Sequence, residues 1–512
     1  MKRVMNFLKS PGILWMLAVC FVFCNNNGAK AQTYYSQSGG TVSQTGKTYT
    51  EAGNDTSGVY VTDAGVYTLA NSTVSTTGVS TSSDSSSQYG LNAVVLANLG
   101  SSITISGSLI SGTGTGANAA YATGAGSIIN LTDDTLSTKT GYSHGVDVTY
   151  TGTVKLKNVV ITTLGNNSSG MATDFGGGTV TDSGGTVTVS GVQSAGIYST
   201  GLITAVNAAI KSNGDDGGVT DAGGTITITN TTLTGAIHSI MVHNTTPVTT
   251  PAEITVIGGA MIATGGDCFH ITGAPATLTL KAGATVSPST GNIIYVDSAS
   301  TATFIADGET VTGNIYTDSF SATVYGSLSS TLENSTVLTG TITRSSLTID
   351  ATSEWKLNGT SYIETLTDAT GVNTATLTVS NITGNGYNVY YHSGLSGNSW
   401  LDGKTYSLTG GGCLLPVGAT CTNTGVNEVA QGLRDIKIYP NPANDGLNIS
   451  FGTPQESTII KVMGIDGKIW STCTITTGAT ETSINIRDLA DGLYILVVES
   501  GNGKQIMKFT KD

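Results

Sequence analysis

The sequence predicts an all-β chain, a long parallel β-helix followed by a small antiparallel β-sandwich. Three observations carry that prediction. Charged residues make up only 11% of the 512 residues while Gly alone accounts for 68, a composition that suits dense backbone pairing better than a charged globular surface. Short β-alternating peptides recur along the body at roughly coil-length spacing. From about residue 433 the texture changes to longer alternating runs divided by turn residues.

The first element is a targeting segment. Lys2, Arg3 and Lys9 flank the apolar run ILWMLAVCFVF at 13–23, and AKA at 29–31 supplies a small-x-small cleavage site. The run falls short of the roughly 20 residues that a spanning helix needs, so residues 1–31 read as a cleaved signal peptide. No later run is long enough to span a membrane. Export permits disulfides, and Cys413 and Cys421 are the candidate bridge, with free thiols as the alternative. The net charge of −13, with only 21 Lys and Arg, excludes a phosphate-neutralising face and with it a nucleic-acid partner.

The second element is the body, residues 32–415, with regular coils at about 55–310 and irregular coils and a cap at about 311–415. A first ladder runs through ITI at 103, INL at 129, VKL at 154, VTV at 187, ITI at 226, ITV at 254, LTL at 278 and ATF at 302. Its flanking apolar residues point one way and its middle residue the other, as a period of two requires. A second ladder lies about half a repeat later. Its inward residues read as Val59, Val94, Ala120, Val146, Met171, Ile197, Ile240, Phe269 and Ile293, with a gap of 43 residues between Ile197 and Ile240. Coils of about 25 residues cornered by Gly, Asn or Ser bury their apolar side chains only by stacking on one another, which is the condition of a parallel β-helix. The body resembles the β-helical passenger regions of bacterial surface adhesins and autotransporter-like proteins, a right-handed, pectate-lyase-like solenoid.

Between the inward residues of the second ladder an outward row is expected: Tyr60, Val95, Tyr121, Asp147, Ala172, Tyr198, Met241, His270 and Ile294. Tyr60, Tyr121, Tyr198, Met241 and His270 are its candidate binding residues, because rings spaced along a β-helix flank stack on sugars through their apolar faces. A long corner loop covering the row is the competing expectation. The same register brings His238 near Asp267, and His243 near His270. With Asp215 and Asp216 of NGDDGG, the residues His238, Asp267 and His270 are the candidate catalytic set. NGDDGG and GGDCFH resemble fragments of polygalacturonase signatures, but the Asn-Thr-Asp, Gly-His-Gly and Arg-x-Lys companions are missing. No arginine lies between Arg3 and Arg344, which argues against a uronate lyase, whose substrate carboxylate calls for a basic clamp. No cofactor and no metal are expected, and the spacing of metal-binding cysteines is absent.

After a polar linker at 416–432, the last element begins at about 433. Its seven short alternating runs predict an Ig-like antiparallel sandwich. Tyr439, Pro440, Asn441 and Pro442, followed by LADGLYILVV with Gly492 and Tyr494, then a final run with Lys508 and Lys511, resemble the C-terminal sorting domain of type IX secretion substrates. The resemblance implies Sec export, recognition by the type IX machinery and delivery across the outer membrane of a Bacteroidota-type cell, to end surface-attached or released. The reading for the whole chain is an adhesin-like binding or structural protein, secreted or at the cell surface, with a glycan or a host or cell-surface ligand as its candidate partner and a carbohydrate-active hydrolase or lyase as the alternative.

Overall fold

The computed structural model describes residues 34–246, 248–321, 324–368, 370–421, 436–451, 458–464, 468–475, 478–500 and 503–512. The signal segment 1–31 and most of the linker lie outside them. The chain divides into two compact units, with the division between Cys421 and Thr422.

The first unit is a parallel β-solenoid with three strands per regular coil. The first ladder holds Val42, Tyr67, Ile103, Ile129, Val154, Val180, Ile203, Ile226, Ile254, Leu278 and Phe304 in register. Two corrections to the sequence reading follow. Val187 belongs to a third ladder, the 10-stranded sheet that runs from Thr48–Glu51 to Thr285–Pro288; Thr186–Val189 alternates just as the first-ladder strands do. The irregular steps around it resolve into strands Thr179–Ser183 and Leu202–Val206, and Phe304, not Ala302, stands beside Leu278.

The second ladder is also denser than expected. Val95 rather than Val94 pairs with Ala120, and Ile294 rather than Ile293 pairs with Phe269. The gap of 43 residues closes because Gly218–Thr220 forms a strand between Ile197–Ser199 and Ile240–Val242. Gly218 occupies an inward slot, and the side chains of Ile240, Ile226 and Leu233 come within 3.4 to 3.5 Å of where its Cβ would stand, so neighbours fill the space that an apolar residue fills elsewhere.

Alternation along each strand places one set of side chains in a single continuous core, with Phe269, Phe304, Tyr67 and Trp355 among its fully buried members. Burying each such side chain contributes about 1.5–3 kcal/mol. The corner after each first-ladder strand needs a left-handed backbone, and one column supplies it: Asn71, Gly107, Asp133, Asn158, Gly184, Asn207 and Asn230 all have positive φ. Asn, Asp and Gly are the residues that adopt that conformation at least cost. The corner before the second ladder is held by a buried hydroxyl column, in which the amides of Ser143, Ser168 and Ser194 donate to Ser168 Oγ, Ser194 Oγ and Asp215 Oδ2, each at 2.9 Å.

Beyond residue 310 the coils shorten and continue through Ser327–Glu333, Ile342–Ile349 and Ser361–Thr367 to Val389–Tyr391 and Cys413–Pro416. The end is closed by short antiparallel pairings, by a 3-10 helix at Ser396–Leu401 and by a Cys413–Cys421 disulfide. Such irregular closure leaves fewer strand edges free to pair with another chain.

The second unit is an antiparallel sandwich of a three-stranded and a four-stranded sheet. Leu447, Ile449, Ile460, Val462, Leu496, Val498 and Phe509 form its own core.

Candidate functional site

In the observed register the outward row of the second ladder reads Tyr60, Leu96, Tyr121, Asp147, Ala172, Tyr198, Val219, Met241, His270, Tyr295 and Tyr316. Val95 and Ile294, expected on it, point into the core. The row divides into a covered part and an open part.

The covered part lies beneath a short helix, Ser83–Tyr89, capped by Ser82 Oγ and closed by Gly90 in the left-handed region. Tyr121, a candidate binding residue, is fully buried there: its hydroxyl donates to Ser87 O at 2.5 Å, and Thr149 Oγ1 donates to Gln88 O at 3.0 Å. Tyr121 is therefore a support for the helix, enclosed beneath it. Asp147 is also fully buried, and burial together with the charge of Asp174 pushes its carboxyl well above the usual range. Tyr60, half-buried, accepts a hydrogen bond from Asn98 Nδ2.

The open part starts at Tyr198. Its half-buried hydroxyl donates to Asp221 Oδ2 at 3.0 Å. Val219, buried, and Met241, half-buried, follow, and then a run of stacked rings: His238 on His270 at 4.3 Å, His270 on Tyr295 at 4.7 Å and Tyr295 on Tyr316 at 5.5 Å between centroids. Because the rings stack along the coil axis, their faces cover one another and their polar edges face outward. That reverses the expectation of free ring faces along the row. Thr343 stands next to Tyr316 in register, and among the described residues no further ring stacks on that end of the row.

Two histidine–carboxylate pairs anchor the stack. His238 Nδ1 is 2.9 Å from Asp216 Oδ1, which also accepts the His238 amide. His270 Nδ1 is 3.0 Å from Asp267 Oδ2, while Asp267 Oδ1 accepts from Thr290 Oγ1 and Asn292 Nδ2. Burial opposes ionisation of Asp267, but the bonds from His270, Thr290 and Asn292 outweigh it and hold its carboxyl below the usual range. Of the catalytic candidates, Asp216, His238, Asp267 and His270 come together. Asp215 does not join them: its carboxylate ends the buried hydroxyl column by accepting the Ser194 amide. His243, two positions beyond Met241 in its strand's line, lies close enough to Asp221 to help hold that carboxyl low against the effect of burial, alongside Thr245 and Tyr198.

Sequence reasoning missed Tyr295 and Tyr316, and it missed Asp174, whose carboxyl is pushed up to about 6 by burial and the charge of Asp221. The signal was present in NIIYV, where a one-residue change of phase puts Tyr295 on the row, and in NIYT, which continues the second ladder by one coil with Tyr316 on the row.

On the second unit the residues singled out for sorting converge. Tyr439, Pro440, Asn441 and Pro442 are exposed, and Asn441 links to the last strand by accepting the Thr510 amide at 2.9 Å and donating to Lys508 O at 3.3 Å. Ala443 continues the contact in a parallel bridge to Lys511. Gly492 stands opposite Lys511, and Tyr494 stacks on Phe509 opposite it. Lys508 is exposed, whereas Lys511 is buried with its ammonium on the Asp512 carbonyl and 3.5 Å from Asp491 Oδ1. Segments nearly 70 positions apart, Asn441 and Thr510 among them, thus make one surface.

Fold and site define the class: a β-solenoid carrying a separately folded C-terminal targeting module. Residues 437–512 match the family described as "Secretion system C-terminal sorting domain", and the tail is a type IX sorting domain. The chain is thus a β-helical protein exported to the cell surface or the extracellular space. No curated protein matches the chain. Among solved structures, the tailspike protein gp49 of the Acinetobacter baumannii bacteriophage Fri1, a capsular polysaccharide depolymerase, aligns over 80% of this chain and 77% of its own, at 12% identity and a TM-score of 0.28. No helix among the described residues is long and apolar enough to cross a membrane.

Proposed function

We propose that the protein is an adhesin-like extracellular binding protein, cleaved from its signal peptide and carried across an outer membrane, whose open row takes a glycan. The observation that supports this reading is the row Tyr198, Val219, Met241, His270, Tyr295 and Tyr316, in register on consecutive coils and half-buried apart from the buried Val219. Coils about 4.8 Å apart give the row a regular rise, and each residue but Val219 joins an apolar body to a polar edge or a polarisable one. A sugar chain laid along the coil axis meets polar ring edges at Tyr198, His270 and Tyr295, apolar side chains at Val219 and Met241, and a ring face at Tyr316.

The mature chain should bind on a glycan array, and Tyr295→Ala with Tyr316→Ala should remove that binding while leaving the thermal melt in place. Retention of every array signal by the double variant would overturn the reading. The catalytic alternative is favoured by the paired histidines, each with Nδ1 on a carboxylate, an arrangement that orients a general base. It predicts polysaccharide turnover that Asp267→Ala abolishes. Against a two-carboxylate glycosidase, Asp216 and Asp267 are 3% and 6% exposed and spend their oxygens on His238, His270, Thr290 and Asn292.

A further inference from the structure

The histidine pair has a property that sugar binding does not use. His238, Asp267 and His270 each offer one ligand atom, and the three atoms lie within 4.8 Å of one another. They come from two adjacent coils, where Met241 pairs with His270 and so brings His238 beside Asp267 three positions upstream.

Both rings are already oriented as metal-binding imidazoles are. A carboxylate accepts and does not donate, so Asp216 and Asp267 fix the proton of each neutral ring on Nδ1 and leave the Nε2 lone pair free. A carboxylate on the far nitrogen is the outer support that ligating histidines commonly carry. The side chains of His238 and His270 are 15% and 22% exposed, so an ion reaches them from solvent and keeps open positions for water.

The backbone makes room at the same place. A Cβ on Gly266 would stand 2.8 Å from His238 Cδ2, closer than real contacts allow, and 3.1 Å from its Nε2. Glycine at this position leaves the Nε2 edge uncovered. Asp267 follows it directly and is itself fixed by Thr290 and Asn292.

We propose that His238 and His270 bind one divalent transition-metal ion through their Nε2 atoms, with Asp267 supplying negative charge beside it and Asp216 and Asp267 holding the rings. Two imidazole ligands backed by carboxylates, with the remaining positions left to water, suit Zn2+, Cu2+ or Ni2+, whereas Ca2+ and Mg2+ require an oxygen shell that these residues do not offer. The site goes beyond the glycan reading, and metal binding is read with no sugar present.

The test is calorimetric titration of the tag-free mature chain with ZnCl2, and with CaCl2 for comparison. One Zn2+ per chain and no Ca2+ heat are expected. His238→Ala and His270→Ala should each weaken binding at least tenfold, and Asp267→Asn by about 10–100-fold, the range for loss of an outer support. Undiminished Zn2+ affinity in the double histidine variant, or no binding by the parent chain, would overturn the site. Should the variants not fold, the Cu2+ electron paramagnetic resonance spectrum of a chain carrying only His243→Ala and His392→Ala decides. Coupling to imidazole nitrogen supports the site and oxygen-only coordination refutes it. His144 does not confuse the result, because its Nδ1 accepts the Ser169 amide at 2.9 Å, which occupies that lone pair and places the proton of the neutral ring on Nε2.

Discussion

The rod and the tail are both β-structures, yet they place their specificity differently. In the rod, the β-solenoid unit, parallel strands repeat one local solution coil after coil, so no single residue identifies the molecule and the outward row exists only through register. In the tail, strands cross between two antiparallel sheets and a few residues at Tyr439–Pro442 and Lys508–Lys511 meet in one place. Repetition spreads information along the chain; a sandwich concentrates it. The first kind of region should tolerate point changes in function and lose stability in increments, and the second should fail at named positions.

The sharpest break between the two is deletion of residues 437–512. Each unit has its own core, so the rod should keep its thermal transition while export is lost altogether and the protein accumulates in the periplasm. Cell fractionation with surface protease digestion measures this. Surface appearance of the truncated chain would remove the assigned role of the tail.

The next effect belongs to the rod. Phe269 is fully buried between Ile240 and Ile294, so Phe269→Ala should cost about 3–5 kcal/mol, read as a shift in the denaturant midpoint of the rod. Export should persist, because the change leaves the C-terminal sorting domain intact.

These contrasts explain what the sequence made legible. Solenoid and sandwich were both readable, since alternation and turn residues are local properties of the chain. Phase was not. Thr186–Val189 looks like a first-ladder strand because two of the three ladders use the same apolar–polar–apolar texture, and only pairing assigns it to the third. The coil at Gly218–Thr220 was silent because its inward residue has no side chain. One residue of phase error then moved Tyr295 off the row. The helix Ser83–Tyr89 was equally silent: SDSSSQY carries no apolar period, and what holds it is tertiary, the hydroxyls of Tyr121 and Thr149 on its carbonyls. The tail was read by its motif, which needs no register, although not that Lys511 is buried while Lys508 is exposed.

A third effect tests how far the rod's repetition tolerates an exception. Asp182 lies in the inward column between Leu156 and Ala205, 2% exposed, and burial pushes its carboxyl up to about 6. The folded pKa stands above the unfolded one, near 3.8, so the protonated form is favoured by folding. Its stabilising contribution is fully present below about pH 4 and is lost as pH rises through 6. Asp134, also pushed up to about 6 by burial, acts in the same direction. Asp182→Leu should raise rod stability by about 1–3 kcal/mol at pH 7, the usual cost of a buried polar group, and the gain should shrink as pH falls from 6 to 4. Thermal melts across that range check it, and a gain independent of pH would mean that Asp182 is not the ionising group.

The smallest expected effect separates recognition from folding in the tail. Asn441 is exposed and makes two bonds to the last strand, from the Thr510 amide and to the Lys508 carbonyl. Exposed backbone groups released by Asn441→Ala regain water, so the substitution should cost only about 0.5–1.5 kcal/mol, a small shift in the tail's own unfolding transition. Export should nonetheless fall severalfold, because the segment Tyr439–Pro442 would lose its fixed position beside Lys508. If export falls only in proportion to the fraction of tail unfolded at the assay temperature, the segment acts as a brace and the recognition surface lies elsewhere on the sandwich. If export falls while the tail remains folded, the junction of the motif with the final strand is what the secretion machinery reads, and the contrast with Phe269→Ala is complete: a large loss of stability without loss of sorting in one region, and the reverse in the other.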